Sequence, residues 1–304
     1  MTQRALDALL ARSPAQPFFL SRAARRLTVL AYHAVDDPQR FAGQLDRLLG
    51  LGCRFLTLDE ALEALAGRSC LPRRAVLVTF DDGDRSVLEH GFPLLTARGL
   101  PAVVFVVAGL VAGTRPPWWA EVASLLAAGG ASDALAGIPR TRAVQRLKRL
   151  PDAERRRILE DLRASAPEPP DPSRQLTGAD LRRLAAAGVA IGNHTLSHPC
   201  LPRCDASTVR HEITTAHERL AEILGAPPRA FAYPNGEPDP RAAAILAELG
   251  YEAAFIFDHR HAGVPCRDRF AVSRLRVNSS TPPDRFRIIV SGLHPAIHHA
   301  LGRA

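Results

Sequence analysis

The chain has 304 residues, 46% of them hydrophobic and 23% charged, with a formal net charge of +8. This composition fits a globular protein with room for one large α/β domain and excludes a disordered or low-complexity chain. No stretch reaches the ~18 consecutive apolar residues that a membrane-spanning helix needs, and the five cysteines, odd in number and without a Cys-x-x-Cys, exclude a disulfide framework.

Residues 1–26 read as a short amphipathic helix, a proline-broken turn and a basic segment carrying Arg22, Arg25 and Arg26. Arg4, Asp7 and Arg12 interrupt the apolar positions, so the segment lacks a secretory pattern. The expectation is a cytoplasmic protein whose basic N-terminus contacts the inner membrane face. The positive charge favours anionic partners, although arginine spread along an alanine- and proline-rich chain is also what a GC-rich genome produces. With no basic motif interleaved with aromatics, nucleic acid is not an expected partner.

Leu27–Tyr32 predicts a first strand, which carries His33 to its end, where a histidine either lines a site or packs. Phe41, Leu45, Leu48 and Leu49 recur at helical spacing, and Gly50 and Gly52 end that helix. Residues 55–58 predict a short strand, with Asp59 as N-cap of a helix over 60–66. Val76 to Phe80 is an apolar run rich in β-formers, predicting a strand buried on both faces, and it runs into Asp81-Asp82-Gly83. Two carboxylates at such a strand end are costly unless a cation sits beside them. A bound metal or an arginine would meet that need, while Asp-Asp-Gly is equally good turn chemistry. A helix over 87–98 and a strand over 101–107 follow, the rhythm of a parallel β/α sheet.

Residues 108–175 break that rhythm. Trp118 and Trp119 follow Pro116 and Pro117, helical segments fall near 119–128 and 142–163, and 167–172 is proline-rich. The segment reads as a helical insertion packed on the main domain, its tryptophans either stacking on sugar faces or anchoring it. From Thr177 the rhythm resumes: a capped helix over 179–187, a strand over 188–192 that delivers His194 and His198, and a helix over 207–224. A strand over 230–234 runs into Asn235 and Gly236. A helix over 240–250, strands over 253–257 and 269–277, and an apolar segment at 286–290 complete the pattern. These units predict a closed or nearly closed β/α barrel over 27–295, with 296–304 as a tail.

In such a barrel, functional groups gather at the C-terminal strand ends. Asp81, Asp82, His194 and His198 all fall there. His-x3-His with one carboxylate is the three-ligand set of a catalytic zinc or other divalent ion, and the second carboxylate is then free to act as a base. A competing set of His194, His198, Cys200 and Cys204 would close a structural zinc shell, and a third reading has two surface histidines and no metal.

Thr79-Phe80-Asp81-Asp82-Gly83 and His194-Thr195-Leu196-Ser197-His198 resemble the first two motifs of the polysaccharide deacetylase (NodB-homology) family, over roughly residues 28–290. The resemblance implies a distorted (β/α)7 barrel that hydrolyses N-acetyl, sometimes O-acetyl, groups on glycans. By it Asp81 is the general base, and Asp82, His194 and His198 hold a divalent ion, Zn2+ first, with Co2+ or another divalent ion as alternatives. Tyr32-His33, the tryptophan pair and Phe231-Ala232-Tyr233-Pro234-Asn235-Gly236 are more similar to the bacterial exopolysaccharide and lipid-linked-sugar branch than to chitin or peptidoglycan enzymes. That places His33, Trp118, Tyr233, Pro234 and Asn235 at the substrate, with a backbone N–H near Tyr233 facing the oxyanion.

Two motifs depart from the family pattern. The third motif often has Arg-x-Pro-Tyr, and here Ala232-Tyr233-Pro234-Asn235 lacks the arginine that braces the catalytic aspartate. Arg274 is the expected replacement from a late strand, if it is not a surface arginine. The last motif, Leu-x-His, is shifted by one position, leaving His294 as a candidate general acid and His33 as a second. The expected function is a metal-dependent deacetylase acting on an N-acetylated glycan or lipid-linked sugar. The alternatives are a hydrolase of non-sugar amides, or a degenerate barrel that binds glycan or a synthase partner without turnover.

Overall fold

Strands that are apolar on both faces need cover on both, and the sheet obtains it by closing on itself. The computed structural model describes residues 2–111, 113, 116–167 and 174–300. Its strands are β1 (Thr28–Tyr32), β2 (Arg54–Phe55), β3 (Ala75–Phe80), β4 (Val103–Val106), β5 (Ala190–Asn193), β6 (Ala230–Ala232), β7 (Ala253–Phe257) and β8 (Val272–Arg276). All pairings between them are parallel. Seven strands form the ring β1-β3-β4-β5-β6-β7-β8, which closes through β8 back onto β1.

β2 stands outside that ring. It pairs with Ala75 and Val76 at the start of β3, whereas β4 pairs with Thr79 and Phe80 at its end. Because β1 occupies the other edge of β3 from Val76 to Phe80, β2 and β4 share one edge in succession. The expected strand over 55–58 is cut short because Thr57 leaves it to cap the helix Leu58–Leu65. Thr57 and Glu60 form a reciprocal capping box there, so Thr57, not Asp59, is the N-cap.

Alternate strand residues face opposite sides. Val29, Leu77, Val103, Phe105, Ala232, Phe255 and Val272 pack into one apolar cluster. Their neighbours Leu30, Val76, Val78, Val104 and Leu275 join the cluster beneath the surrounding helices. Each such buried side chain contributes roughly 1.5–3 kcal/mol.

Prolines account for most departures from the expected helices. The helix expected over 87–98 opens as a π turn, Val87–Gly91, before Phe92–Thr96, since Pro93 has no N–H to continue a regular ladder. The segment over 142–163 divides into Arg140–Leu147 and Asp152–Ser165 at Pro151. With Trp118–Ala127 these helices enclose a small core of their own, including Trp118, Val122, Leu125, Leu147, Ile158 and Leu162. Residues 168–173 of the proline-rich spacer lie outside the described residues. At the N-terminus a second helix, Gln16–Ala23, takes the place of the expected turn and basic segment, with Pro17 in its first turn, where no N–H is missed. The apolar segment at 286–290 belongs to the helix Pro283–Val290, and the tail begins as the helix Leu293–Ala300.

Candidate active site

β3 ends by delivering Asp81 to the barrel mouth, its N–H still bonded to the Tyr32 carbonyl at 2.9 Å. The side chain is fully buried, as is that of Arg274 on β8. Arg274 grips both carboxylate oxygens, Nη1 to Oδ1 at 2.7 Å and Nη2 to Oδ2 at 2.9 Å, the bidentate fork that arginine geometry suits. Its guanidinium lies 4.3 Å from the Phe257 ring centroid. Burial pushes the Asp81 carboxyl up, but Arg274, aided by His194, outweighs it and holds the group below its usual range. Asp81 is therefore an ionised, oriented carboxylate.

Asp82 turns the chain at φ 70°. With its amide oriented to donate, Gln175 bonds the carbonyls of Asp82 and Gly83 at 2.9 and 3.0 Å. The turned carboxylate faces two imidazoles: Asp82 Oδ1 is 3.4 Å from His194 Nε2 and 3.5 Å from His198 Nε2. Ligand atoms of the three residues all lie within 4.8 Å of one another, the one such group among the described residues. His194 Nδ1 bonds the Ala232 carbonyl at 2.7 Å. A carbonyl only accepts, so Nδ1 carries a hydrogen and Nε2 is the nitrogen directed at Asp82, able to ligate when the ring is neutral. Burial drives His198 down to about 3, so it is neutral and able to ligate. Burial opposes protonation of His194, but Asp81 and Asp82 outweigh it and raise that residue. Asp82 Oδ1 is buried without a hydrogen-bond donor. An orphaned carboxylate oxygen opposite two imidazole nitrogens suits a divalent cation.

The histidine loop is built from polar side chains that replace a regular ladder. Asn193, at the end of β5, donates to the Tyr251 hydroxyl at 2.8 Å and accepts from Thr195 N at 2.7 Å. Thr195 Oγ1 accepts from His198 N at 3.0 Å. Glu212 accepts from Leu196 N, Ser197 N and the Ser197 hydroxyl at 3.0, 2.8 and 2.6 Å. Of six non-glycine residues at positive φ among the described residues, four are Asp82, Thr195, His198 and Asn235. Each costs about 1 kcal/mol or more, and such strain concentrates where side chains must be aimed.

A cavity of about 570 Å³ opens over these groups and is lined by His33, Asp81, Asp82, His194, His198 and Asn235 among others. His33 stacks on Phe257 with ring centroids 6.1 Å apart. Asn235 accepts from Lys148 Nζ at 2.6 Å and donates to Cys200 Sγ at 3.2 Å.

Several expected site residues are placed elsewhere. Trp118 is buried in the insertion core, donating Nε1–H to the His198 carbonyl at 2.9 Å, and it is Trp119 that reaches the cavity, 4.5 Å from the His198 ring. Tyr233 and Pro234 are buried, Tyr233 within the apolar cluster beneath the helices Ala206–Leu224 and Pro240–Glu248. The Tyr233 N–H is committed to the Phe255 carbonyl at 3.0 Å, so it does not face an oxyanion. His294 does not line the cavity; its Nε2 meets Arg285 Nη2 at 2.6 Å among the C-terminal helices. The four-ligand zinc set with Cys200 and Cys204 does not form: Cys204 Sγ donates to the Cys200 carbonyl at 3.5 Å inside an apolar cluster. Lys148, Arg149, Arg203, Glu237 and Arg276 line the cavity without having been singled out in sequence. Only Arg276 left a trace there, two residues beyond Arg274 and so on the same strand face.

An ionised carboxylate beside an Asp-His-His cradle, at the mouth of a parallel barrel, is the arrangement of a cation-assisted hydrolytic site. The chain belongs to the polysaccharide deacetylase family, whose sequence pattern matches residues 68–254. It is 30% identical over 83 residues to a poly-beta-1,6-N-acetyl-D-glucosamine N-deacetylase of Staphylococcus epidermidis, a match covering 27% of this chain and 28% of that protein. The Staphylococcus aureus counterpart is 33% identical over 79 residues, covering 26% of this chain and 27% of that protein. The matched stretch thus spans little more than a quarter of these relatives' length. The solved structure of IcaB from Ammonifex degensii is similar over 92% of this chain and 98% of its own, with a TM-score of 0.62 and 26% identity. The Streptococcus pyogenes deacetylase PplD, solved with acetate, shares the fold at a TM-score of 0.59 and 18% identity, over 86% of this chain and 96% of its own.

Proposed function

We propose that the protein is a metal-dependent hydrolase that removes acetyl groups from N-acetylated sugars of a polysaccharide or lipid-linked glycan. Its resident ion is Zn2+, held by Asp82, His194 and His198. The observation that carries this reading is the orphaned Asp82 oxygen facing two imidazole nitrogens, next to a carboxylate that Arg274 keeps ionised. When bound, a divalent ion there supplies Lewis-acid polarisation of the amide carbonyl and of the attacking water. Asp81 accepts the proton of that water, and Arg274 fixes the direction in which it does so. His33, the remaining cavity histidine, delivers a proton to the departing amine. Trp119 and Asn235 form the wall against which the sugar rests.

The five free cysteines support a reducing, cytoplasmic setting. The exposed Leu9 and Phe18, beside Arg22, Arg25 and Arg26, support a peripheral contact of the N-terminal helices with the inner membrane face.

Acetate release from β-1,6-linked N-acetylglucosamine oligomers, with and without chelator, tests the central reading. Release that depends on added Zn2+ or Co2+ supports it. Release that survives exhaustive chelation overturns the metal dependence, and no release from any acetylated glycan overturns the enzyme.

A further inference from the structure

Asp81 is matched by Arg274, and Asp82 is committed to the cradle. Of the other charged side chains lining the cavity, Glu237 alone is acidic, against Lys148, Arg149, Arg203 and Arg276. Arg149, Arg203 and Arg276 make no side-chain hydrogen bond or ion pair among the described residues, unlike Arg54, Arg68, Arg98, Arg210, Arg229 and Arg241, which pair with carboxylates elsewhere on this surface. Unpaired guanidinium groups around a concave opening are costly neighbours for one another and focus a positive potential into it.

The cations converge from three separate parts of the chain. Arg276 stands two residues beyond Arg274 on β8, on the same face and nearer the mouth. It is close enough to both His33 and Lys148 to disfavour their protonated forms. Lys148 and Arg149 come from the end of an insertion helix, and Arg203 from the turn Leu201–Arg203 after the histidine loop. A neutral polymer of N-acetylated sugars offers this rim only uncharged hydroxyl and carbonyl acceptors, whereas an oxyanion adds the opposite charge, and a guanidinium fork meets phosphate or carboxylate through paired hydrogen bonds.

We propose that the rim is an anion subsite, so that the N-acetylated sugar taken here carries a phosphate or carboxylate group beside the reacting residue, gripped by Arg276 from the barrel and Arg149 from the insertion. This rests on the deacetylase reading and narrows its substrate class.

The test compares N-acetylglucosamine 1-phosphate, a tetrasaccharide of alternating N-acetylglucosamine and glucuronate, and neutral chitotetraose. Binding to the full chain is measured by ligand-observed NMR with and without zinc, alongside acetate release. The expected result is binding of at least one anionic sugar about tenfold tighter than the neutral one at low salt, fading as salt rises. The phosphate and glucuronate arms show which oxyanion is preferred. Arg276→Gln combined with Arg149→Gln should remove most of that preference, both in zinc-loaded and in metal-free protein. A preference that survives the double substitution belongs to the metal, and equal binding of all three sugars leaves the rim without a ligand; either result overturns the proposal. Acetate release from chitotetraose without any anionic preference overturns the subsite alone, whereas failure to deacetylate any of the three, with zinc present, overturns the deacetylase reading for these substrates while the binding comparison still decides the subsite.

Discussion

Arg274 and Asp81, one on β8, the last strand of the barrel, and one at the end of β3, meet through two parallel hydrogen bonds of 2.7 and 2.9 Å. Both side chains are fully buried, so neither can turn to water if the other is lost. Arg274→Met is expected to destabilise the fold by about 3–5 kcal/mol, because it strands a buried carboxylate, and to abolish acetate release. Arg274→Lys restores charge but not the fork, and should recover only part of either. Denaturant unfolding decides it: a wild-type midpoint in Arg274→Met would show that the pair is not structural.

The same pair sets the response to acid. The folded Asp81 carboxyl lies below its ordinary 3.8, so its contribution is fully present above that value and is lost as pH falls through the folded value. Stability should therefore fall more steeply below pH 4 in the wild type than in an Asp81→Asn, Arg274→Met double variant. Superimposable pH–stability curves would contradict the assignment.

Asp82, His194 and His198 are expected to bind about one divalent ion per chain. Asp82→Ala and His198→Ala should each lose most of it, measured by elemental analysis after purification in limiting zinc. Zinc at 100 times its dissociation constant should stabilise the wild type by about 2.7 kcal/mol and leave these variants unmoved. Full zinc content in both variants would rule out the cradle.

Glu212 and Gly109 act on that cradle from outside. Glu212 accepts three hydrogen bonds from Leu196 and Ser197, and a Cβ on Gly109 would come within 2.3 Å of the Leu196 carbonyl oxygen. Glu212→Ala and Gly109→Ala should each weaken zinc affinity by about 10–100-fold, read by competition with a chromogenic chelator. Wild-type affinity in both would mean that the loop holds its shape without them.

His33 and His294 make opposite predictions. His33→Gln should lower kcat by about 10²–10⁴ if His33 is the acid, while His294→Gln should leave kcat unaltered. Burial lowers His33 from its ordinary 6.5; activity that needs its protonated form falls as pH rises through that lowered value. The alkaline limb of kcat/KM should therefore lie below 6.5 and vanish in His33→Gln. A rate that is flat from pH 5 to 7 would remove His33 from the role.

The barrel was legible because its strands are continuous apolar runs, such as Val76 to Phe80 and Val103 to Val107, separated by capped helices. Asp81, Asp82, His194 and His198 stood out because polar residues at the ends of such runs need a reason to be there. Arg274 came into view through the resemblance, whose usual third-motif arginine is absent here; a buried carboxylate calls for a cation but does not say which one. Tyr233 and Pro234 misled because a motif position fixes the backbone but not which side of the strand a side chain takes. Trp118 and Trp119 are adjacent on a helix, about 100° apart, and nothing in their order says which one faces the cavity. Lys148, Arg149 and Arg203 carry no pattern at all; docking of the insertion brings the first two over the Asp-His-His cradle, and the turn after the histidine loop brings the third.

That insertion touches the reactive centre through Trp118 on the His198 carbonyl, Trp119 against the His198 ring and Lys148 on Asn235, yet supplies none of the cradle's three side chains. The consequence is a division of labour that evolution can exploit. Chemistry is locked into the strands, where almost any change is punished, while the roof is a detachable filter. Exchanging residues 118–165 between relatives should redirect which glycan is admitted and leave the bond-breaking apparatus as it was.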